Sequence, residues 1–350
     1  MPTQSSYTLN VNIDGNKKTL VLPSVTTIIG YDTNKSSLIK WAKVKEKWDK
    51  EHGEGSWDLY MRLSADRGTT IHHYIEQVLT GNIAINDVRP SRYTQIGEYE
   101  LDRMEKLKLP REFFRIDLYW NSCKKWLTQI IKQGYTVDST ELSGINPKWL
   151  YGGTTDLILT NQLGHRVLVD IKTHSGYYFT TNDGTQIYNG KYYHWRKGGK
   201  TNPLPTDINQ LQWSDIADKA KKAFMQCIMY RMMCESGYYF NTTNPISKNI
   251  NEIKIVAFSK DNYYVLDLLN PKWDTDHAIK FYLDAQDEVV NLIKLYHQQE
   301  TKIELPHSYN IIQTNMDSVN NINITDAMDY ATDNIIYQTT KHNTKQLVSV

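Results

Sequence analysis

The stretch "VLVDIKTHSG", residues 167–176, sets two charges, Asp170 and Lys172, among Val167, Leu168, Val169 and Ile171. The β-branched run predicts a buried strand, along which side chains alternate between faces. Val167, Val169 and Ile171 then share one face, and Asp170 and Lys172 share the other. A buried charge is costly unless it is paired or bound to a metal. Taken alone, the two residues read equally well as a structural ion pair at a strand end or as part of a functional centre.

The preceding segment narrows the choice. "TTDLILT" (154–160) also reads as a strand, and the tight turn "QLGH" (162–165) pairs it with 166–173. Adjacent strands of this kind bring Asp156 and Asp170 to one point, with Lys172 beside them. Two carboxylates repel, so a simple salt bridge explains them poorly. A divalent cation explains them better, because magnesium binds through one or two carboxylates plus substrate phosphates. Such an ion polarises a phosphodiester and acidifies a bound water, which a lysine can orient.

Around these strands the pattern predicts a mixed sheet flanked by helices. Residues 7–14 and 18–23 alternate around "DGNKK" as a hairpin, and helical spacing runs through 35–50. Helices are expected over 57–64 and 69–80, the second capped by Thr69 or Thr70, and over 111–134, ended by Gly134. Strands follow at 135–142, 154–160, 166–173, 251–259 and 263–269, with helices at 214–236 and 276–299. The fold class is therefore α/β (α+β). Residues 1–134 form an N-terminal hairpin and helical region, 135–300 a core with a long insertion at about 174–213, and 301–350 an arm or tail.

Composition excludes several classes. There is no apolar run long enough to span a membrane and no secretory signal at the start, and three cysteines fit a reducing, cytoplasmic compartment. Net charge is +1, so any nucleic-acid contact must be local. Residues 35–50 carry six lysines against two acids, and "KYYHWRKGGK" (191–200) has four cations and no acid. The latter mixes Lys191, Arg196 and Lys197 with Tyr192 and Trp195, the composition of a single-strand groove in which rings stack on bases and cations follow phosphates. A solvated helix face accounts equally well for the lysines of 35–50.

"GGTTD…VDIK" resembles the core of the PD-(D/E)xK nuclease superfamily. Three further stretches resemble its RecB-type branch: "RGTTIHHYIE" (67–76), "QCIMY" (226–230) and the upstream Glu141 of "ELSGINPKWLYGGTTD" (141–156). "LPSVTTII" (22–29) and "LIKW" (38–41) also look like phage exonucleases and the mitochondrial genome maintenance exonuclease, so the likeness covers roughly residues 22–270. It implies a restriction-endonuclease-like core and a metal-dependent DNA exonuclease in phage or bacterial replication, recombination or degradation, acting on single strands or ends. His72, Asp156, Asp170 and the Ile171 carbonyl would hold one or two Mg2+ or Mn2+ ions. Spacing alone does not separate His72 from His73, and the family pattern selects His72. Lys172 would position the water, Gln226 would fix Lys172 or the phosphate, Glu141 would assist, and Tyr230 would buttress the site or touch nucleic acid. No phosphate-binding Gly-x-x-x-x-Gly-Lys motif is present, so unwinding would need a helicase or recombination partner. A structure-specific or restriction-like endonuclease, and a non-catalytic nucleic-acid-binding module, are the alternatives.

Overall fold

The computed structural model describes residues 7–13, 16–31, 36–173, 180–182, 185–187, 213, 218–239, 248–269, 275–301 and 310–313. A hairpin of β1 (Tyr7–Ile13) and β2 (Asn16–Leu22) leads to the short α1 (Val25–Ile29), capped by the Ser24 hydroxyl, which accepts from the Thr27 amide. Then come α2 (Ser36–His52), α3 (Ser56–Leu79), α4 (Gln95–Tyr99), α5 (Leu101–Lys106) and α6 (Ile116–Lys132). The second half comprises β3 (Thr136–Asn146), β4 (Tyr151–Thr160), β5 (Arg166–Thr173), the small pair β6 (Thr180–Asn182) and β7 (Thr185–Ile187), and α7 (Asp218–Ser236). It ends with β8 (Tyr238–Tyr239), β9 (Glu252–Phe258), β10 (Tyr263–Leu269), α8 (Thr275–Tyr296) and β11 (Asn310–Gln313).

The central sheet has the order β10-β9-β5-β4-β3-β8. It is mixed: β5 and β9 run parallel, and the other neighbours are antiparallel. Helices cover both faces, giving the mixed α/β core expected from the sequence. On one side α3 and α6 bury Ile71, Ile75, Trp120, Cys123 and Leu127 against Val167, Val169 and Ile171. On the other, α1, α7 and α8 bury Ile28, Phe224, Ile228 and Ala285 against Leu168, Ile253 and Ile255. The apolar set of β5 is thus divided as alternation requires, which leaves Asp170 and Lys172 on the α7 side.

Helix α3 differs from the expectation. It runs unbroken through Arg67-Gly68, where two helices were expected. Thr69 and Thr70 do not cap; their hydroxyls donate back to the Ala65 and Asp66 carbonyls at 3.2 and 2.9 Å. Gly68 is tolerated mid-helix because tertiary packing outweighs its propensity cost of about 1 kcal/mol. A Cβ there would lie at an ordinary van der Waals distance of 3.4 Å from Thr173 Oγ1, so the helix passes close to the end of β5 without the position requiring glycine. The buried positions Leu59, Leu63, Arg67, Ile71, Ile75 and Val78 form one continuous stripe at helical spacing.

β1, β2 and β11 form a separate three-stranded sheet. Part of the region past residue 300 therefore pairs with the N-terminal hairpin, although most of the expected arm lies outside the described residues. The cluster Lys191, Tyr192, Trp195, Arg196 and Lys197 also lies outside them. Among the described residues, no helix is long and apolar enough to cross a membrane.

Candidate active site

The pairing of β4 and β5 runs from Thr160↔Arg166 to Leu157↔Val169 and then stops. Beyond that point the strands part, and the Asp156 side chain takes up the freed backbone group. Asp156 Oδ2 accepts from the Ile171 amide at 2.6 Å. A carboxylate holding a backbone N–H in this way is fixed in position without a cation.

β3 adapts at the same level. Glu141 lies opposite Asp156, between the pairs Thr140↔Leu157 and Leu142↔Thr155. Its φ is 45°, in the left-handed region that a side chain rarely adopts. This reverses the alternation of the strand. Thr140 lines the α3 side beside Ile75 and Leu157, whereas Leu142, two residues on, packs into the α7 side. Glu141 is thereby aimed towards α3. Strained residues of this kind concentrate at functional sites.

From α3, one position past the buried Ile71, comes His72. His72 Nε2 is 3.1 Å from the Ile171 carbonyl. A carbonyl only accepts, so Nε2 carries the proton, and in the neutral ring Nδ1 offers a lone pair. That Nδ1 lies 3.6 Å from Asp156 Oδ1 and 4.0 Å from Glu141 Oε1. Three acceptors converge with their atoms all within 4.8 Å of one another. The adjacent His73 is exposed and turns towards Tyr74. Geometry therefore separates two histidines that spacing left equivalent.

On the α7 side, Lys172 Nζ is 2.9 and 2.8 Å from the two oxygens of Asp170 and donates to Gln226 Oε1 at 3.2 Å. Gln226 Nε2 donates in turn to the Tyr230 hydroxyl at 2.9 Å, one helical turn along α7. Asp170 is 1% exposed, and among the described residues its Oδ2 has the ion pair but no hydrogen bond. The sequence placed Asp170 with His72 and Asp156, but the structure brings Glu141 to that pair and turns Asp170 towards Lys172.

The electrostatics follow from this crowding. Burial, reinforced by Asp156 and Glu76 against the pull of His72, pushes the Glu141 carboxyl up to about 7. Burial also raises Asp170 to about 6; Asp156 adds to the rise, and Lys172 opposes it. Burial alone would lower Lys172, but Asp170 and Asp156 outweigh it and hold the ammonium above its ordinary range. A divalent cation among these acceptors would relieve the repulsion, so the donor set fits one. A histidine nitrogen beside carboxylates suits manganese as well as magnesium.

Sequence reasoning did not mark Gly152 and Gly153 as structural requirements of the centre. The signal was present in their adjacency just before Asp156. No protein-family model matches the chain, and no curated protein matches it. Among solved structures, one described as "Crystal structure of SSO0001" is 13% identical, with a TM-score of 0.22 over 64% of this chain and 87% of that one. A likeness at that level carries no argument about this protein.

Proposed function

We propose that the chain is a divalent-metal-dependent deoxyribonuclease that hydrolyses phosphodiester bonds from DNA ends, preferring single strands. One observation carries the reading: Asp156 sits where β4 and β5 part, with His72 and Glu141 on one side and the Asp170–Lys172–Gln226 chain next to it. The PD-(D/E)xK resemblance of the same residues supports it.

His72, Glu141 and Asp156 would hold the ion, with the Ile171 carbonyl and Asp170 Oδ2 as the neighbouring oxygens. An ion held there supplies Lewis-acid polarisation of the phosphodiester and a water of lowered pKa. Lys172, kept protonated by Asp170, orients the attacking oxygen as a hydrogen-bond donor and does not act as the base. Gln226 restrains the lysine, and Tyr230 restrains Gln226.

The test is digestion of end-labelled linear single-stranded DNA beside its closed circular counterpart, with magnesium, manganese or chelator. Metal-dependent loss of the linear form alone, abolished in Lys172→Ala, is the expected result. Cutting of the circle would make the protein an endonuclease. Tight binding of both forms without cleavage would make it a nucleic-acid-binding module.

A further inference from the structure

Three hydroxyls meet two rungs along the sheet from the Glu141–Asp156 pair. Ser143 and Thr154 are partners across β3 and β4, and their side-chain oxygens lie 2.7 Å apart. The Tyr7 hydroxyl is 3.1 Å from Thr154 Oγ1. The N-terminal hairpin brings Tyr7 there, anchored where the Gly152 amide donates to the Pro23 carbonyl at 3.0 Å and Ser24 bridges Gly152. The Tyr7 ring occupies the space of a side chain at 152, since a Cβ there would fall 2.2 Å from Tyr7 Cγ. Likewise a Cβ at 153 would meet the Tyr230 ring at 2.8 Å. The strand leading into Asp156 therefore runs between two tyrosine rings, one from the hairpin and one from α7.

These hydroxyls share the face of the acidic pair. Leu142 packs into the α7 side and its partner Thr155 is fully buried, so Ser143 and Thr154 alternate to the opposite face, where Asp156 meets His72. Tyr7, Ser143 and Thr154 are all half-buried, within reach of solvent. Two residues of strand span about 6.6 Å, close to the separation of successive phosphates on an extended nucleic-acid strand. A hydroxyl both donates and accepts, so the cluster can turn an O–H towards an anionic oxygen while keeping its internal bonds.

We propose that Tyr7, Ser143 and Thr154 bind the phosphate next to the scissile one, which makes the N-terminal hairpin part of the nucleic-acid site. This rests on the nuclease reading above. The test compares the native chain with Tyr7→Phe, which keeps the ring over Gly152, and with Thr154→Val. A single-stranded oligonucleotide is cleaved with manganese, and its binding is measured with calcium in place of manganese. Losing one hydrogen bond to a charged oxygen should raise KM and Kd about tenfold, with the effect in KM and not in kcat. A second oligonucleotide carries a neutral methylphosphonate beside the cleaved linkage. On it the native chain should lose the same factor, and Tyr7→Phe should lose nothing further. A Tyr7→Phe chain that binds like the native one, or whose loss persists on the neutral linkage, overturns the subsite alone. A native chain that neither binds nor cleaves overturns the nuclease reading and the subsite with it.

Discussion

Replacing Asp170 by asparagine should stabilise the metal-free protein at neutral pH. Asp170 is 1% exposed, and its carboxyl rises from 3.8 to about 6 on folding. A raised acid favours the protonated folded state. The folded protein therefore loses stability as pH climbs from the unfolded value to the folded one, and the whole penalty is present above about 6. A rise of that size corresponds to about 3 kcal/mol. Asparagine mimics the neutral acid, so the variant should escape this penalty. Over 350 residues, an unfolding entropy of about 2 cal/mol/K per residue turns 3 kcal/mol into about 4 °C of Tm. The assay is denaturant unfolding of both chains in chelator at pH 4 and pH 7.5, read as the change in their stability difference. Glu141 titrates with the same sign in both chains and drops out of that difference. Manganese should narrow the gap at pH 7.5, because the carboxylate oxygen of Asp170 beside the ion makes it bind the folded native chain more tightly than the folded variant. A variant no more stable than native at pH 7.5, relative to pH 4, would refute the account of Asp170 as a destabilised carboxylate kept for chemistry.

Other outcomes follow from the same geometry. His72→Ala should weaken manganese binding by at least tenfold in calorimetry, while His73→Ala, exposed and turned away, should leave it within twofold. Glu141→Gly should gain about 1 kcal/mol in denaturant unfolding by relieving a φ of 45°, yet lose metal affinity. Asp138→Asn should cost about 2 kcal/mol at pH 7, because Asp138 pairs with Lys248 and with Arg166 Nε at 3.2 Å. Burial opposes these partners, but together they hold the Asp138 carboxyl below its ordinary range. The stabilisation is thus present above 3.8 and fades as pH falls through the folded value, so acid unfolding of the two chains should converge at the lowest pH.

The sequence alone determined a good deal of this molecule. Alternation through Val167, Leu168, Val169 and Ile171 identified the central strand and its faces, because a period of two is a local property of extended chain. The same locality made the 162–165 turn, the amphipathic helix ending at Gly134, and the pairing of Gln226 with Tyr230 legible. The unbroken helix across Gly68 was not, since packing against the end of β5 outweighs a local breaker. Spacing left His72 and His73 equivalent and only the family pattern preferred His72; tertiary structure gives the physical reason, because the choice depends on where the Ile171 carbonyl lies, 99 residues away. It alone joined Glu141 to Asp156. A left-handed residue reverses the alternation at the level where β4 and β5 separate, and pattern reading assumes that alternation continues. The position of Tyr7 over Gly152 was likewise invisible, because contacts across 145 residues of chain are made by the folded surface and leave no periodicity in the sequence.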